Sequence, residues 1–297
     1  MKKTLLINGC SYTAGDDIAW DHQAHGSWRE FPSSKKPNKM VVMDAYLRSV
    51  RPLYNFSGVL SRLLNTTSVD LSRDGNNNSE IALTTIGYIS RLTPEERKNL
   101  HVCIGWTEPS RLCRWSSSTT QFATINVTML DWYKQHKDTG GIITNLYNEF
   151  YENSLVWIAS LKDIDIIVDD VFRILAVENY LKAEQITYTF WKSLGRPVRE
   201  TDLMILKRHA NLNLNYLDAS NWIKFAVSSK LSNNYAGALT GVDTNNHTYT
   251  GIPWRWQMQE DPDRYITPGN HPSKIAVEEL SNEIIHHIHM SELRAFE

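Results

Sequence analysis

The fold is decided at the start of the chain, by the run Thr4-Leu5-Leu6-Ile7-Asn8-Gly9-Cys10-Ser11. Residues 4–7 are apolar or β-branched and the residues after them are small or polar, a pattern typical of a buried strand that ends in a tight turn. The apolar stretch is about four residues long, whereas a secretory signal peptide needs roughly 7–15. We therefore interpret it as the first strand of the fold.

Further along the chain, strand patterns alternate with helix patterns. Strands are predicted at residues 4–7, 66–71, 101–106 and 186–191, and helices at 53–64, 79–92, 147–161, 171–182 and 272–288, with another helix start at Thr93-Pro94. Strands that alternate with helices pair in parallel and are covered on both faces. The expected fold is an α/β three-layer α/β/α sandwich with a mostly parallel sheet, similar to flavodoxin.

The composition excludes several classes of protein. The 297 residues include 31 Lys and Arg against 33 Asp and Glu, a formal net charge of −2, and 41% are hydrophobic. Without a basic excess we expect no nucleic-acid partner, and no apolar run approaches the ~20 residues of a membrane span. The three cysteines are an odd number without a CxxC pair, which indicates synthesis in a reducing cytoplasm.

Ligands of parallel sheets bind at the carboxyl ends of the strands, and polar or glycine-containing motifs lie at these ends. Ser11 follows the first strand and Gly75 the second, where a bare backbone N–H can approach a reacting oxygen. Asn78 can anchor that loop, and Thr107 offers a hydroxyl after the third strand. His271, before the last helix, is placed to act as a general base.

Together these motifs resemble the SGNH (GDSL-type) hydrolase family of esterases and lipases, including variants encoded by tailed bacteriophages. The resemblance rests on four blocks in order, Gly9-Cys10-Ser11, Gly75-Asn76-Asn77-Asn78, Gly105-Trp106-Thr107-Glu108 and Pro268-Gly269-Asn270-His271-Pro272. It implies that Ser11 is the nucleophile and His271 the base of an ester hydrolase.

The resemblance also implies the rest of the site. The backbone N–H groups of Ser11 and Gly75 and the Thr107 hydroxyl form the oxyanion hole, and the supporting residues are Asn78, Trp106 and Glu108. No metal and no cofactor are implied. The expected substrate is a small ester or an acylated carbohydrate. For Trp106, the sequence leaves open whether the ring lines a pocket or packs in the core.

Two residues depart from the family pattern. Thr107 stands where the family has an oxyanion-hole asparagine, and Pro268 stands where it has the acid that orients the histidine. One interpretation is a Ser11–His271 dyad, with the imidazole held by a backbone carbonyl, Asp261 or Asp263. The alternative is a catalytically impaired structural or adhesion module of a phage particle.

The motif order favours a single domain over residues 1–297, because blocks near opposite ends of the chain must build one site. A minimal core of about 200 residues leaves a surplus, which falls mostly in insertions at about 110–145 and 195–265. The second insertion contains Trp254 and Trp256. We expect the insertions to recognise the substrate, a protein partner or other proteins of a virion.

Overall fold

The computed structural model describes residues 3–15, 51–107, 111–125, 127–160, 163–193 and 272–294. The strands in these ranges are β1 (Thr4–Gly9), β2 (Ser68–Asp70), β3 (Leu100–Trp106), β4 (Leu112–Ser116), β5 (Gln121–Ile125) and β6 (Thr187–Lys192). The helices are α1 (Ser11–Ala14), α2 (Phe56–Leu63), α3 (Asn78–Ile89), α4 (Pro94–Lys98), α5 (Val127–Gln135), α6 (Gly141–Ser160), α7 (Asp163–Ala183) and α8 (Lys274–Arg294). Residues 51–54 are also helical.

The described strands form a parallel sheet with the order β2-β1-β3-β6. Leu5 of β1 lies opposite Ser68 of β2, Gly9 lies opposite Gly105 of β3, and Gly105 lies opposite Trp191 of β6. All three pairings are parallel, so the carboxyl ends of these strands meet at one edge of the sheet. The predicted α/β class and parallel sheet are thus confirmed for the part of the chain that is described.

Helices cover both faces of this sheet. Side chains alternate between the two faces of a strand, so Leu5 and Ile7 of β1 face one helical layer and Leu6 faces the other. The first core consists of Leu5, Ile7, Phe56, Val59, Leu60, Cys103, Trp191, Ala276, Val277, Leu280, Ile284 and Ile288. The second consists of Leu6, Ile81, Ala82, Ile89, Leu100, Val102, Ile104, Trp106, Ile174, Val177, Leu181, Ile186, Tyr188 and Phe190. Helices α2 and α8 therefore cover one face and α3 and α7 the other, an arrangement compatible with a three-layer sandwich.

Three helices begin at polar caps that their sequences supply. Asn55 accepts a hydrogen bond from the backbone N–H of Gly58 at the start of α2, and Asn77 caps α3 in the same way. At Thr93, the predicted helix start is confirmed, with a reciprocal capping box between Thr93 and Glu96. Such caps satisfy backbone N–H groups that have no partner inside the helix.

The insertion predicted at 110–145 contains regular structure that its Ser- and Thr-rich composition did not indicate. Strands β4 and β5 form an antiparallel hairpin, which we call the insertion hairpin. Its turn is bound by Glu149 of α6, whose carboxylate accepts hydrogen bonds from the hydroxyls of Ser116 and Ser118, at 2.7 and 2.6 Å. These bonds lower the pKa of Glu149 to about 2. The insertion predicted at 195–265 lies outside the described residues.

The insertion hairpin shares a small core with the helices that follow it. This third core consists of Ala123, Ile125, Leu130, Tyr133, Leu146 and Phe150.

Within the described ranges, no helix is both long and apolar enough to cross a membrane.

Candidate functional site

Ser11 is held at the carboxyl edge of the sheet by a close packing of α1 on β1 and β3. A Cβ at Gly9 or at Gly105 would overlap the Thr13 side chain, so both strands need glycine where α1 crosses them. The Thr13 hydroxyl also lies 2.9 Å from the hydroxyl of Ser193, after β6. The short helix that begins with Ser11 is thereby fixed to three strands.

The other end of α1 is held by Asn55. Its side-chain amide donates to the carbonyl of Ala14 at 3.3 Å and to the carboxyl of Asp70 at 2.7 Å. Asp70 lies at the end of β2, and burial raises the pKa of its carboxyl above the ordinary value. Both ends of α1 are therefore tied to neighbouring strands, which fixes the position of Ser11.

Ser11 itself is 6% exposed and is the first residue of α1. The N-cap residue Cys10 makes no side-chain hydrogen bond to the helix, and its carbonyl accepts from the N–H groups of Thr13 and Ala14 at 2.9 Å. Among the described residues, no side chain hydrogen-bonds to the Ser11 hydroxyl. The residue therefore offers both a hydroxyl and a backbone N–H at the edge of the sheet.

The loop after β2 comprises residues 71–77. Three consecutive asparagines, Asn76, Asn77 and Asn78, connect this loop and the start of α3 to other elements at the carboxyl edge of the sheet. All three are buried, and each side-chain amide binds a different element. Asn76 donates to the carbonyl of Gly9 at 3.1 Å. Asn77, besides capping α3, donates to the hydroxyl of Thr124 in the insertion hairpin at 2.9 Å. Asn78 binds Thr107 at the end of β3, so one run of sequence joins β1, β3 and the insertion hairpin.

Gly75 lies at the tip of the 71–77 loop in a left-handed conformation, with φ of 74°. This conformation favours glycine, and a Cβ there would meet no atom within 4 Å, so Gly75 borders open space. Its carbonyl accepts a hydrogen bond from the Thr124 hydroxyl at 2.5 Å. Next to it, Asp74 forms an ion pair with Arg51 at 2.5 Å. The hydrogen bond from Thr124 and the ion pair of Asp74 thus fix the 71–77 loop around Gly75, while the space beside the Gly75 Cα is open.

Thr107 is fully buried, and its backbone is held in both directions by one side chain. Its N–H donates to Asn78 Oδ1 at 2.9 Å, and its carbonyl accepts from Asn78 Nδ2 at 3.1 Å. Its hydroxyl is buried and has no hydrogen-bond partner in the described structure. Buried hydroxyls are normally paired, so the Thr107 hydroxyl is an unusual group among the described residues at this edge of the sheet.

Trp106 packs in the core instead of lining a pocket. Its ring is fully buried and meets Phe190 edge to face, with 5.5 Å between ring centroids. The sequence left a pocket and core packing open, and the structure shows core packing.

Two acidic side chains lie behind the 71–77 loop. Asp170 of α7 is 5% exposed and accepts a hydrogen bond from Asn78 Nδ2 at 2.5 Å. Glu80 accepts from Asn77 Nδ2 at 2.5 Å, and burial raises the pKa of its carboxyl despite hydrogen bonds from Thr124 and Asn77. The described residues contain no group of three or more His, Cys, Asp or Glu that could hold a metal ion.

The carboxyl edge of the sheet thus holds Ser11, Gly75, Asn78 and Thr107, from three separate parts of the sequence. Asn76 connects the loop of Gly75 to Gly9, and Asn78 contacts Thr107. Two further predicted site residues, Glu108 and His271, lie outside the described residues. So do Pro268, Asp261 and Asp263. The residues that follow His271 are described: Pro272 is buried, and the Ser273 hydroxyl accepts from the N–H of Ala276 at 3.2 Å as α8 begins.

Several residues that build this site have weak signals in the sequence. Asn76 and Asn77 belong to the second motif block, but the elements that they bind could not be inferred from that pattern. Thr124 lies in a segment without clear periodicity. Asp170 is the second acid of an Asp-Asp pair in a helix, which is typical of a solvated helix face.

Comparisons with known proteins do not extend this description. No protein-family model matches the chain, and the search of curated proteins finds no similar sequence. The function is therefore argued from the site itself.

Proposed function

We propose that this chain is a serine ester hydrolase of the SGNH type, acting by acyl transfer in a three-layer α/β/α sandwich. The observation that carries the proposal is that Ser11, Gly75 and Thr107 follow the carboxyl ends of three neighbouring strands of one parallel sheet. Ser11 begins α1, Gly75 borders open space, and the buried Thr107 hydroxyl has no described partner. Oxyanion holes are built from fixed donors of this kind.

In the proposed reaction, the Ser11 Oγ attacks the carbonyl carbon of the ester while its proton passes to the His271 imidazole. The carbonyl oxygen becomes an oxyanion, held by the N–H groups of Ser11 and Gly75 and by the Thr107 hydroxyl. The bond to the leaving alkoxide breaks as His271 returns the proton to it. Water then attacks the acyl carbon and gives a proton to His271. The Ser11 Oγ–carbon bond breaks, Ser11 regains the proton, and the carboxylic acid is released.

We further propose an acylated carbohydrate as the substrate, supported by an aromatic pair on the insertion hairpin. Trp115 and Phe122 are 53% and 43% exposed, and their rings meet edge to face at 5.2 Å. Trp115 lies opposite Phe122 just as Cys113 lies opposite Thr124, so all four side chains share one face of the hairpin.

This hairpin face is the one that contacts the 71–77 loop, because Thr124 belongs to it. The aromatic pair is two residues along the strands, ~6.7 Å from Thr124. Exposed aromatic rings beside a site offer a flat apolar surface bordered by water. Such a surface suits the C–H face of a sugar ring. A small ester on that sugar, such as an O-acetyl group, would then be presented to Ser11.

Hydrolysis of p-nitrophenyl acetate by the full chain and by Ser11→Ala tests the proposal. We expect the substitution to remove the enzyme-dependent rate. Thr107→Val, which keeps the shape and removes the hydroxyl, should lower kcat by up to ~10²-fold, the effect of one oxyanion donor. Equal rates for the wild type and Ser11→Ala would overturn the proposal.

A second candidate function is a catalytically impaired structural or adhesion module of a phage particle, with the insertions as its binding surface. The observation that favours it is Pro268, which stands where the family has the acid. Neutralising a triad acid elsewhere costs about 10⁴-fold in kcat. This candidate predicts equal rates for the wild type and Ser11→Ala, so the same assay separates the two.

A further inference from the structure

Asp170 is a buried carboxyl in the helical layer behind the candidate oxyanion hole. It belongs to none of the four motif blocks, and it lies 92 positions away from Asn78 along the chain. It nevertheless accepts a hydrogen bond of 2.5 Å from Asn78 Nδ2. Its neighbour Asp169 is 64% exposed and pairs with Arg173 on the same helix. The two adjacent acids therefore differ in what they contact.

Both the nitrogen and the oxygen of the Asn78 side-chain amide make hydrogen bonds. Its two N–H bonds go to the carboxyl of Asp170 and the carbonyl of Thr107. Its oxygen accepts from the N–H of Thr107. If the amide rotated by 180°, its oxygen would face two acceptors and its N–H groups would face a donor. The N–H and the carbonyl of Thr107 already favour the observed orientation, and the hydrogen bond to the Asp170 carboxyl is a third contact that holds the Asn78 amide there.

We propose that Asp170 is a positioning residue for the oxyanion hole, acting through Asn78 on Thr107. Asp170 fixes the Asn78 amide, the amide fixes the peptide groups on both sides of Thr107, and the backbone fixes where the Thr107 hydroxyl lies. The inference rests on the proposed ester hydrolysis for its effect on rate. The hydrogen-bond chain itself is a property of the fold and can be measured without any activity.

The test compares Asp170→Asn with Asp169→Asn in the full chain. An asparagine at 170 offers Asn78 only a neutral amide, so the third hydrogen bond that holds the Asn78 amide is weakened or lost. A displaced catalytic group can cost up to ~10²-fold in rate. With p-nitrophenyl acetate we therefore expect Asp170→Asn to lower kcat about 10- to 100-fold with KM little changed, as for an interaction made in the transition state. Asp169→Asn should leave both constants unchanged.

Amide hydrogen exchange at Thr107 provides a readout independent of activity. We expect the exchange of the Thr107 N–H to accelerate at least tenfold in Asp170→Asn and to stay unchanged in Asp169→Asn. Asp170→Glu keeps the acceptor charge on a longer side chain, and we expect it to recover part of kcat. This variant also provides the test if Asp170→Asn does not fold.

The outcomes distinguish the two claims. If the wild type depends on Ser11 but Asp170→Asn keeps its kcat, the positioning role is wrong and the proposed function stands. If the wild type and Ser11→Ala hydrolyse equally, the proposed function fails and the effect on rate fails with it. Unchanged Thr107 exchange in Asp170→Asn would overturn the hydrogen-bond chain whatever the activity.

Discussion

His101 makes the stability of this protein sensitive to acid. Its imidazole is buried in β3, with Nδ1 2.9 Å from the Thr187 hydroxyl and Nε2 3.0 Å from the Thr189 hydroxyl. Burial lowers the pKa of His101 to about 3, and electrostatic interactions with Lys3 and His287 act in the same direction. Replacing His101 by Gln removes the titrating ring while keeping polar atoms near the two threonines.

The size and sign of the effect follow from the pKa difference. The unfolded chain binds a proton at His101 with the ordinary pKa of 6.5, whereas the folded chain does so only near 3. Stability is therefore fully present above pH 6.5 and is lost as the pH falls from there toward 3. Each unit corresponds to about 1.4 kcal/mol. Between pH 7.5 and 5.0, His101 should lower the free energy of unfolding by about 2 kcal/mol.

The assay is urea unfolding followed by tryptophan fluorescence at both pH values. We expect the loss of stability between pH 7.5 and 5.0 to be about 2 kcal/mol smaller in His101→Gln than in the wild type. His286→Gln, at an exposed position of α8, controls for the loss of an imidazole. An equal loss of stability in His101→Gln and the wild type would refute the reasoning, because it would mean that the buried ring does not resist protonation.

Two further predictions concern the sheet edge and the insertion hairpin. Gly105→Ala should lower stability by about 1–3 kcal/mol, since its Cβ would overlap the side chains of α1 and of the segment after β6. Gly87→Ala, whose Cβ would meet nothing within 4 Å inside α3, should raise stability by about 0.5–1 kcal/mol. Thermal unfolding measures both, and an equal shift for the two would contradict the packing. Trp115→Ala should raise KM for an acetylated oligosaccharide several-fold and leave p-nitrophenyl acetate hydrolysis unchanged, whereas Phe172→Ala, exposed on α7, should change neither. Equal effects of Trp115→Ala on both substrates would exclude a sugar platform.

The parallel sheet could be predicted because its strands carry local signals. The run from residue 102 to 106 is continuously apolar or small, and β3 was found at Leu100–Trp106. The strand predicted at 66–71 was found as the shorter Ser68–Asp70. Once strands and helices alternate, the rule for parallel sheets places Ser11, Gly75 and Thr107 at one edge.

The insertion hairpin could not be predicted, because what stabilises it is distant in the sequence. Its turn is a run of Ser and Thr whose hydroxyls and N–H groups are bound by Glu149, about thirty residues later. Its packing on the 71–77 loop depends on the Thr124 hydroxyl. A local pattern contains none of these contacts, so the segment resembles a loop.

The asparagine run illustrates the same limit within the site. The sequence predicts a turn at residues 74–78 and a helix at 79–92, and the structure has the turn at residues 74–75 and the helix at Asn78–Ile89. It does not indicate that neighbouring amides bind β1, the insertion hairpin and β3 in turn. For Asp170, helix periodicity cannot tell a buried acid from its exposed neighbour Asp169, since that difference depends on what packs against α7.

Covalent labelling of Ser11 tests the central claim most directly. A fluorophosphonate reacts with a serine that is activated as a nucleophile, and mass spectrometry of the digested full chain locates the adduct. The account predicts one adduct per chain, on the peptide that contains Ser11, which is lost in Ser11→Ala and slowed in Thr107→Val. A wild-type chain that acquires no adduct at Ser11, under conditions where a known serine esterase is fully labelled, would contradict it.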